Sequence, residues 1–259
     1  MNTLVDNSAT EIQKRVAAGR ITWVGPLIML VARSVLAVLC QALVATVFFR
    51  GSVDAWEEAG QWWRVYGTVI DVGCIALLVW LARREGIRLF DLGSYSRKHW
   101  LRDVLIGLGL FVPIFVLTML LPGTIAGFVI YGGPAPTPAS GLPVLGSLYA
   151  LIIWPIIWAF AEDNVYFSYT LPRLEVLTGR TWSAVVVLSF FAALQHSFLP
   201  FKLEWQHFVY RFVSSVPIIV VLCLLYLRQR RLLPIHVIHW AGNVIGIIML
   251  MIAPAAGGN

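Results

Sequence analysis

The chain has 259 residues, of which 59% are hydrophobic and only 12% are charged. An average soluble domain carries about 25% charged residues, and a chain of this size needs polar surface to cover itself. With a mean hydropathy of +0.81, the composition excludes a soluble globular enzyme, a disordered chain and a disulfide-rich secreted domain, and leaves a polytopic helical membrane protein.

In chain order, residues 1–20 are polar and carry Lys14, Arg15 and Arg20. They read as a cytoplasmic tail or a surface helix, not as a cleavable signal peptide, because no short apolar core with a small-residue cleavage site comes first. A bilayer core of about 30 Å needs about 20 apolar residues in a helix. Seven segments qualify: 24–48, 62–82, 103–121, 143–170, 182–199, 208–227 and 232–252. The connections alternate in cations. The tail, the second loop (Arg83, Arg84, Arg88, Arg97, Lys98, Arg102), the fourth (Arg173, Arg180) and the sixth (Arg228, Arg230, Arg231) are rich. The first loop sets Arg50 against Asp54, Glu57 and Glu58, the third has no charge, the fifth has Lys202 and Glu204, and the tail PAAGGN has none. Fourteen of the 19 Lys and Arg therefore fall on one side. The expected fold is all-α: a transmembrane helical bundle of seven spans with a cytoplasmic N-terminus, or eight elements if TIAGFVIYGG dips back into the membrane. Residues 1–259 form one integral membrane domain, since no internal repeat or second domain is visible. The net charge of +6 is then a topology signal in a protein partnered by the lipid bilayer, with no nucleic acid involved. Cys40, Cys74 and Cys223 lie inside apolar runs, none in a CxxC, and read as buried thiols.

Ionisable residues inside spans cost about 2.5–3.5 kcal/mol each on insertion scales, so each needs a reason. Arg33, Asp71 and Arg211 stand alone in their segments. The expectation is structural pairing, with Asp71 meeting Arg33 or Arg211; substrate contact by Arg211 is the sharper alternative. Glu162 and Asp163 are adjacent in WPIIWAFAEDNVYFSYTLPRLE. Neighbouring helical residues point about 100° apart, so one partner cannot hide both. Two carboxylates this close in a low dielectric also resist ionising together, which suits general acid–base chemistry. The alternative is that the helix ends early and both sit among headgroups, but apolar residues continue to Leu171 and Pro172 is expected to break the helix there. His239 and Asn243 lie one turn apart on one face. Such a pair can donate two hydrogen bonds to one oxyanion, ligate a metal, or join helices as polar glue. His236 is nearer the interface and ancillary. His196, in SFFAALQHSF, taken alone reads as a structural histidine.

A carboxylate pair on one span, a His late in the next, and an HxxxN two spans further on resemble the CAAX protease and bacteriocin-processing family, also called the ABI family of intramembrane proteases. The family's EExxxR corresponds to Glu162-Asp163-Asn164-Val165-Tyr166-Phe167. Its FxxxH falls on His196, with Ala192 four positions before it and Phe191 one earlier. Its HxxxN falls on His239-Trp240-Ala241-Gly242-Asn243. YTLPRLEVLTGR reads like a bacterial branch. The resemblance covers about residues 143–250, and 143–252 would be the catalytic core. It implies an endopeptidase that uses water as nucleophile. Glu162 would activate the water, His196 would help hold it, His239 and Asn243 would stabilise the oxyanion, and Asp163 would modulate its neighbour. The implied substrate is a leader peptide or membrane protein, at a bacterial inner membrane. A glutamate-dependent mechanism with no cofactor fits these residues. Two His and carboxylates also suit Zn²⁺, but HExxH is absent.

The chain departs from the pattern at three positions. Asp163 is one methylene shorter than Glu. Phe167 replaces the motif arginine, so proton sharing between Glu162 and Asp163, or a partner such as Arg211, would have to compensate. Ser168 occupies a position often held by glycine. These departures keep a second reading open, a non-catalytic member acting as an immunity or partner-binding membrane protein. A transporter using Asp71, Glu162 and Asp163 as a proton relay is a third, though inverted repeats are not visible. Counting 1.5 Å per residue from the nearest loop cation puts His239 about 12 Å deep, Glu162 about 16 Å and His196 about 24 Å. His196 reaches the others only if the 174–181 stretch sits at the surface or its span tilts.

Overall fold

The computed structural model describes residues 7–136 and 141–252; the first residues of the polar tail, part of the third loop and the PAAGGN tail lie outside them. All seven predicted segments are helical. They are α2 (Val24–Phe48), α4 (Trp63–Arg84), α6 and α7 (Trp100–Phe115 and Leu121–Tyr131, joined by a π turn), α8 and α9 (Val144–Ile152 and Trp154–Asp163), α11 (Thr181–Ser197), α12 (Trp205–Gln229) and α13 (Leu233–Ile252). Four short helices complete the described residues: α1 (Ala9–Ala17), α3 (Ala55–Gln61), α5 (Leu89–Leu92) and α10 (Leu171–Thr178). Five helices are long and apolar enough to cross a membrane, and the pair running from Val144 to Thr178, bent by 42°, makes a sixth. The seventh segment, α11, is a shorter apolar helix of 17 residues.

The run TIAGFVIYGG is not a re-entrant piece. Its helical part continues α6 through the π turn Val116–Leu120 to Tyr131, where Gly132 takes a left-handed φ of 73° and ends the helix. The proline reading also changes. Pro172 does not end the helix; α10 runs on to Thr178 and stops at Gly179, φ 64°. Proline removes a backbone donor and frees the carbonyl four residues earlier, here that of Ser168. Asn7 donates to that carbonyl from its side chain at 2.8 Å, so the N-terminal segment makes good the missing bond.

Side-chain burial on α2 follows the helical period. Val24, Leu27, Val31, Val35, Leu39, Leu43 and Val47 are exposed, while Met29, Arg33, Ala37, Gln41 and Ala45 are buried. An apolar stripe this long is a lipid-facing surface, and the polar atoms turn inward.

The connections sort onto two ends as the cation pattern requires. At one end Arg15 of the tail lies 3.8 Å from Glu85 of the second loop, Arg173 donates to the same Glu85 from Nε at 2.9 Å, Arg230 pairs with Glu175 at 2.7 Å, and Arg231 pairs with Asp103 at 2.6 Å. At the other, Lys202 of the fifth loop meets Glu57 of the first at 3.6 Å, and the Trp56 indole donates to the Phe201 carbonyl at 2.8 Å. Sequence reading treated Arg173 as a loop cation. It is fully buried, stacked over the Tyr169 ring at 3.9 Å.

Candidate active site

Helix α9 carries the acidic pair on its last turn, followed by a π turn, Asn164–Thr170, in which every residue is buried. A wider turn leaves carbonyls off the regular ladder. The Thr170 hydroxyl donates to the Val165 carbonyl at 2.6 Å and the Ser168 hydroxyl to Asn164 at 2.9 Å, which satisfies two of them without water.

The 100° step between neighbours sends the two carboxylates to different partners. Glu162 points toward α2 and α11. Its Oε2 is 3.5 Å from Nη2 of Arg33, and its Oε1 is 3.6 Å from Nε2 of His196. Asp163 points toward α13. His239 and His236 both donate to it from Nδ1, at 2.8 and 2.7 Å, since a carboxylate at these distances can only accept. Among the described residues no hydrogen bond joins Glu162 to Asp163; each has cationic or N–H partners of its own. Asp163 holds His239 by one nitrogen, and Nε2 has no hydrogen-bond partner among the described residues. His236 is tied further, its Nε2 accepting from the Tyr95 hydroxyl at 2.7 Å.

Arg33 answers the question the missing motif arginine raised. From α2 it donates to Asp71, and from Nε to the Gln195 side-chain oxygen at 2.6 Å. Its guanidinium lies 4.4 Å over the Trp158 ring. The Tyr166 hydroxyl donates to the same Gln195 oxygen at 3.1 Å. The expected pairing of Asp71 is thus with Arg33, and the cation beside Glu162 comes from another helix. Arg211 does not take that part: it donates to the carbonyls of His196 and Leu199, both at 3.1 Å.

One cavity of about 300 Å³ is lined by Glu162, His196, His239 and Asn243, together with Phe167, Arg64 and Arg211. The structure brings four of the five sequence-derived site residues onto it; Asp163 lies behind His239. Asn243 Nδ2 is buried without a hydrogen-bond partner, which is uncommon for a buried polar atom, and Glu162 Oε2 has only the Arg33 guanidinium at 3.5 Å. Helix α13 reaches this position through a close crossing, since a Cβ at Gly107 of α6 would stand 2.7 Å from Cβ of Val237. Among the described residues no three His, Cys, Asp or Glu are placed to share a metal ion.

Residues 144–245, from the start of α8 to two residues past Asn243, match the family model described as Type II CAAX prenyl endopeptidase Rce1-like. The match supports the CAAX protease and bacteriocin-processing family. Proteins of that family are intramembrane CAAX-type proteases, and the long apolar helices of this chain suit an integral membrane protein. No curated protein matches the chain. No solved structure matches it.

Sequence reading expected Arg33 to pair but did not place it at this site, and it missed Arg64 and Tyr95. Arg33, Arg64 and Tyr95 all come from before residue 144, outside the stretch where the motifs lie. Arg33 stood out as an ionisable residue alone in a span with Asp71 as an expected partner, but nothing signalled that it would also reach Glu162. The link from Asp163 to His239 yields a test. Asp163→Asn offers an amide in place of an acceptor-only carboxylate, so one histidine loses its partner or turns. Cleavage should fall on the order of 10²-fold or more, with substrate affinity little changed. Steady-state kinetics check this; an unchanged kcat would remove Asp163 from the site.

Proposed function

We propose that the protein is a glutamate-dependent endopeptidase that hydrolyses a peptide bond of a membrane-associated or leader-peptide substrate. The observation that supports this best is the convergence of Glu162, His196, His239 and Asn243 on one cavity, with Asn243 Nδ2 buried and without a hydrogen-bond partner. Two groups 3.6 Å apart, Glu162 and His196, can both hold one water lying off the line between them. Glu162 takes the water's proton as the oxygen attacks the scissile carbonyl, and the proton passes to the leaving amine as the C–N bond breaks. The carbonyl oxygen gains negative charge in that step. Asn243 Nδ2 and a protonated His239 Nε2 are donors aimed where this charge develops, and the Asp163 carboxylate behind His239 offsets the positive ring. Arg33 balances the charge of Glu162 and fixes its orientation. This chemistry calls for no cofactor.

The cation pattern argues for a cytoplasmic N-terminus, and the YTLPRLEVLTGR segment for a bacterial inner membrane. The rival reading, a non-catalytic immunity or partner-binding protein, is favoured by Phe167. The proximity of Arg33 to Glu162 weighs against it.

The test compares cleavage of a membrane peptide by reconstituted wild type, His239→Ala and Asn243→Ala. Each variant removes one oxyanion donor and is expected to lower kcat by about 10²–10³-fold. Two variants that cut as well as wild type would sink the assignment, and elemental analysis of the active protein separates a metal-free from a metal-bearing site.

A further inference from the structure

Two arginines on the cavity play no part in the chemistry above. Arg64, on the first turn of α4, makes no hydrogen bond among the described residues. Its guanidinium lies 4.6 Å over the Trp63 ring and 5.7 Å from that of Trp154, and its Nε is buried without a partner. Arg211, on the second turn of α12, uses Nε and Nη2 on the carbonyls of His196 and Leu199 and keeps Nη1 unbonded. Neither has a carboxylate partner among the described residues. The carboxylates that line these spaces are engaged elsewhere: Glu162 by Arg33 and His196, and Glu57 by Lys202.

Both arginines line the cavity that holds Glu162 and His239. Arg64 also lines a second cavity, of about 190 Å³, with Glu57, Gln61 and Lys202, residues of the first and fifth loops. It therefore stands between that end of the bundle and Glu162. Arg211 is one residue away from the site, because the carbonyl it holds belongs to His196, whose ring faces Glu162. The walls around them are largely apolar, with Phe111, Ile114, Trp154 and Leu222. Unpaired guanidinium groups in such surroundings are costly, and a ligand anion removes the cost. The planar fork of arginine matches a carboxylate in two-point contact.

We infer that Arg64 and Arg211 form an anion subsite that takes a carboxylate of the substrate peptide, supplied by its C-terminus or by an acidic side chain beside the scissile bond. This deepens the endopeptidase reading and rests on it. The cleaved bond would be the one set a fixed distance from that carboxylate, so the subsite selects the position of cleavage as well as the substrate.

The experiment measures binding and cleavage separately, with the full chain in detergent micelles. The probes are one dansylated apolar hexapeptide in three forms: the free acid, the C-terminal amide, and the amide with one internal Asp. Binding is read by dansyl fluorescence in the Glu162→Gln background, which prevents turnover, and cleavage in the wild type. An anionic form is expected to bind about tenfold tighter than the neutral amide; the form that does so tells the C-terminus from the side chain. Arg64→Gln should bring that ratio close to one while the amide's affinity stays within about twofold, Arg64→Lys should keep part of it, and Arg211→Gln should reduce it. Equal binding of all three peptides, no binding of any, or a ratio that survives both glutamine variants overturns the subsite. A carboxylate preference in a wild type that cleaves none of the three keeps the subsite and sinks the endopeptidase reading, whereas cleavage without preference does the reverse.

Discussion

Glu162→Gln is expected to lower kcat for a membrane-peptide substrate by about 10²–10⁴-fold, the range that loss of a positioned general base produces. Glutamine keeps the shape of the side chain but cannot take a proton from water. Packing should hold, because Arg33 retains its bonds to Asp71 and Gln195 and Trp158 still stacks on it. Folding and substrate affinity should therefore be near those of wild type while turnover falls. Single-turnover cleavage in proteoliposomes separates binding from chemistry. A rate within about twofold of wild type would take Glu162 out of the mechanism and leave the non-catalytic reading standing.

The second large effect is structural. Arg33 is fully buried and sits between Asp71 and Glu162. Arg33→Met leaves both carboxylates without their shared cation in the core. Removing one partner of a buried pair costs about 3–5 kcal/mol, because the remaining charge is uncompensated. The variant should therefore unfold at markedly lower denaturant than wild type and lose cleavage. Arg33→Met combined with Phe167→Arg returns a cation to the family's own position, on the π turn that follows Glu162, and should recover part of the activity. Unfolding in mixed micelles and cleavage assays check both arms. If Arg33→Met were as stable as wild type, Arg33 would not be the charge that balances this site.

The candidate site was partly legible in the sequence because its chemistry is rare in its surroundings. Acidic and imidazole side chains inside apolar spans are few, so Glu162, Asp163, His239 and Asn243 stand out by exclusion and by spacing, whereas His196 joined them only through the family resemblance. His239 and Asn243 are four apart on one helix, and local geometry alone puts them on one face. Asp163 shows the limit of that reasoning. The helical step says that it cannot point where Glu162 points, but not what it meets. Its partners lie more than seventy residues away on α13. The residue count set His196 apart from the others unless its span tilts or the 174–181 stretch sits at the surface; the structure brings it to 3.6 Å from Glu162. Counting residues assumes straight spans with a common origin, whereas the path from Val144 to Thr178 is bent by 42° and α11 starts right after Gly179 and Arg180.

Composition and period determined that this is a helical membrane protein, which segments are helices, and which loops share an end. These follow from two local constraints, the need to hide backbone in lipid and the bias of Lys and Arg toward one side. Only the tertiary structure decided which charges meet. The cation beside Glu162 comes from Arg33, Asp163 serves His239 and His236, Asn7 caps the carbonyl that Pro172 frees, and Arg64 and Arg211 face the cavity without a carboxylate. Each of these pairings depends on the rotation and crossing of helices far apart in the chain. That is set by packing across the bundle, which a one-dimensional pattern does not carry.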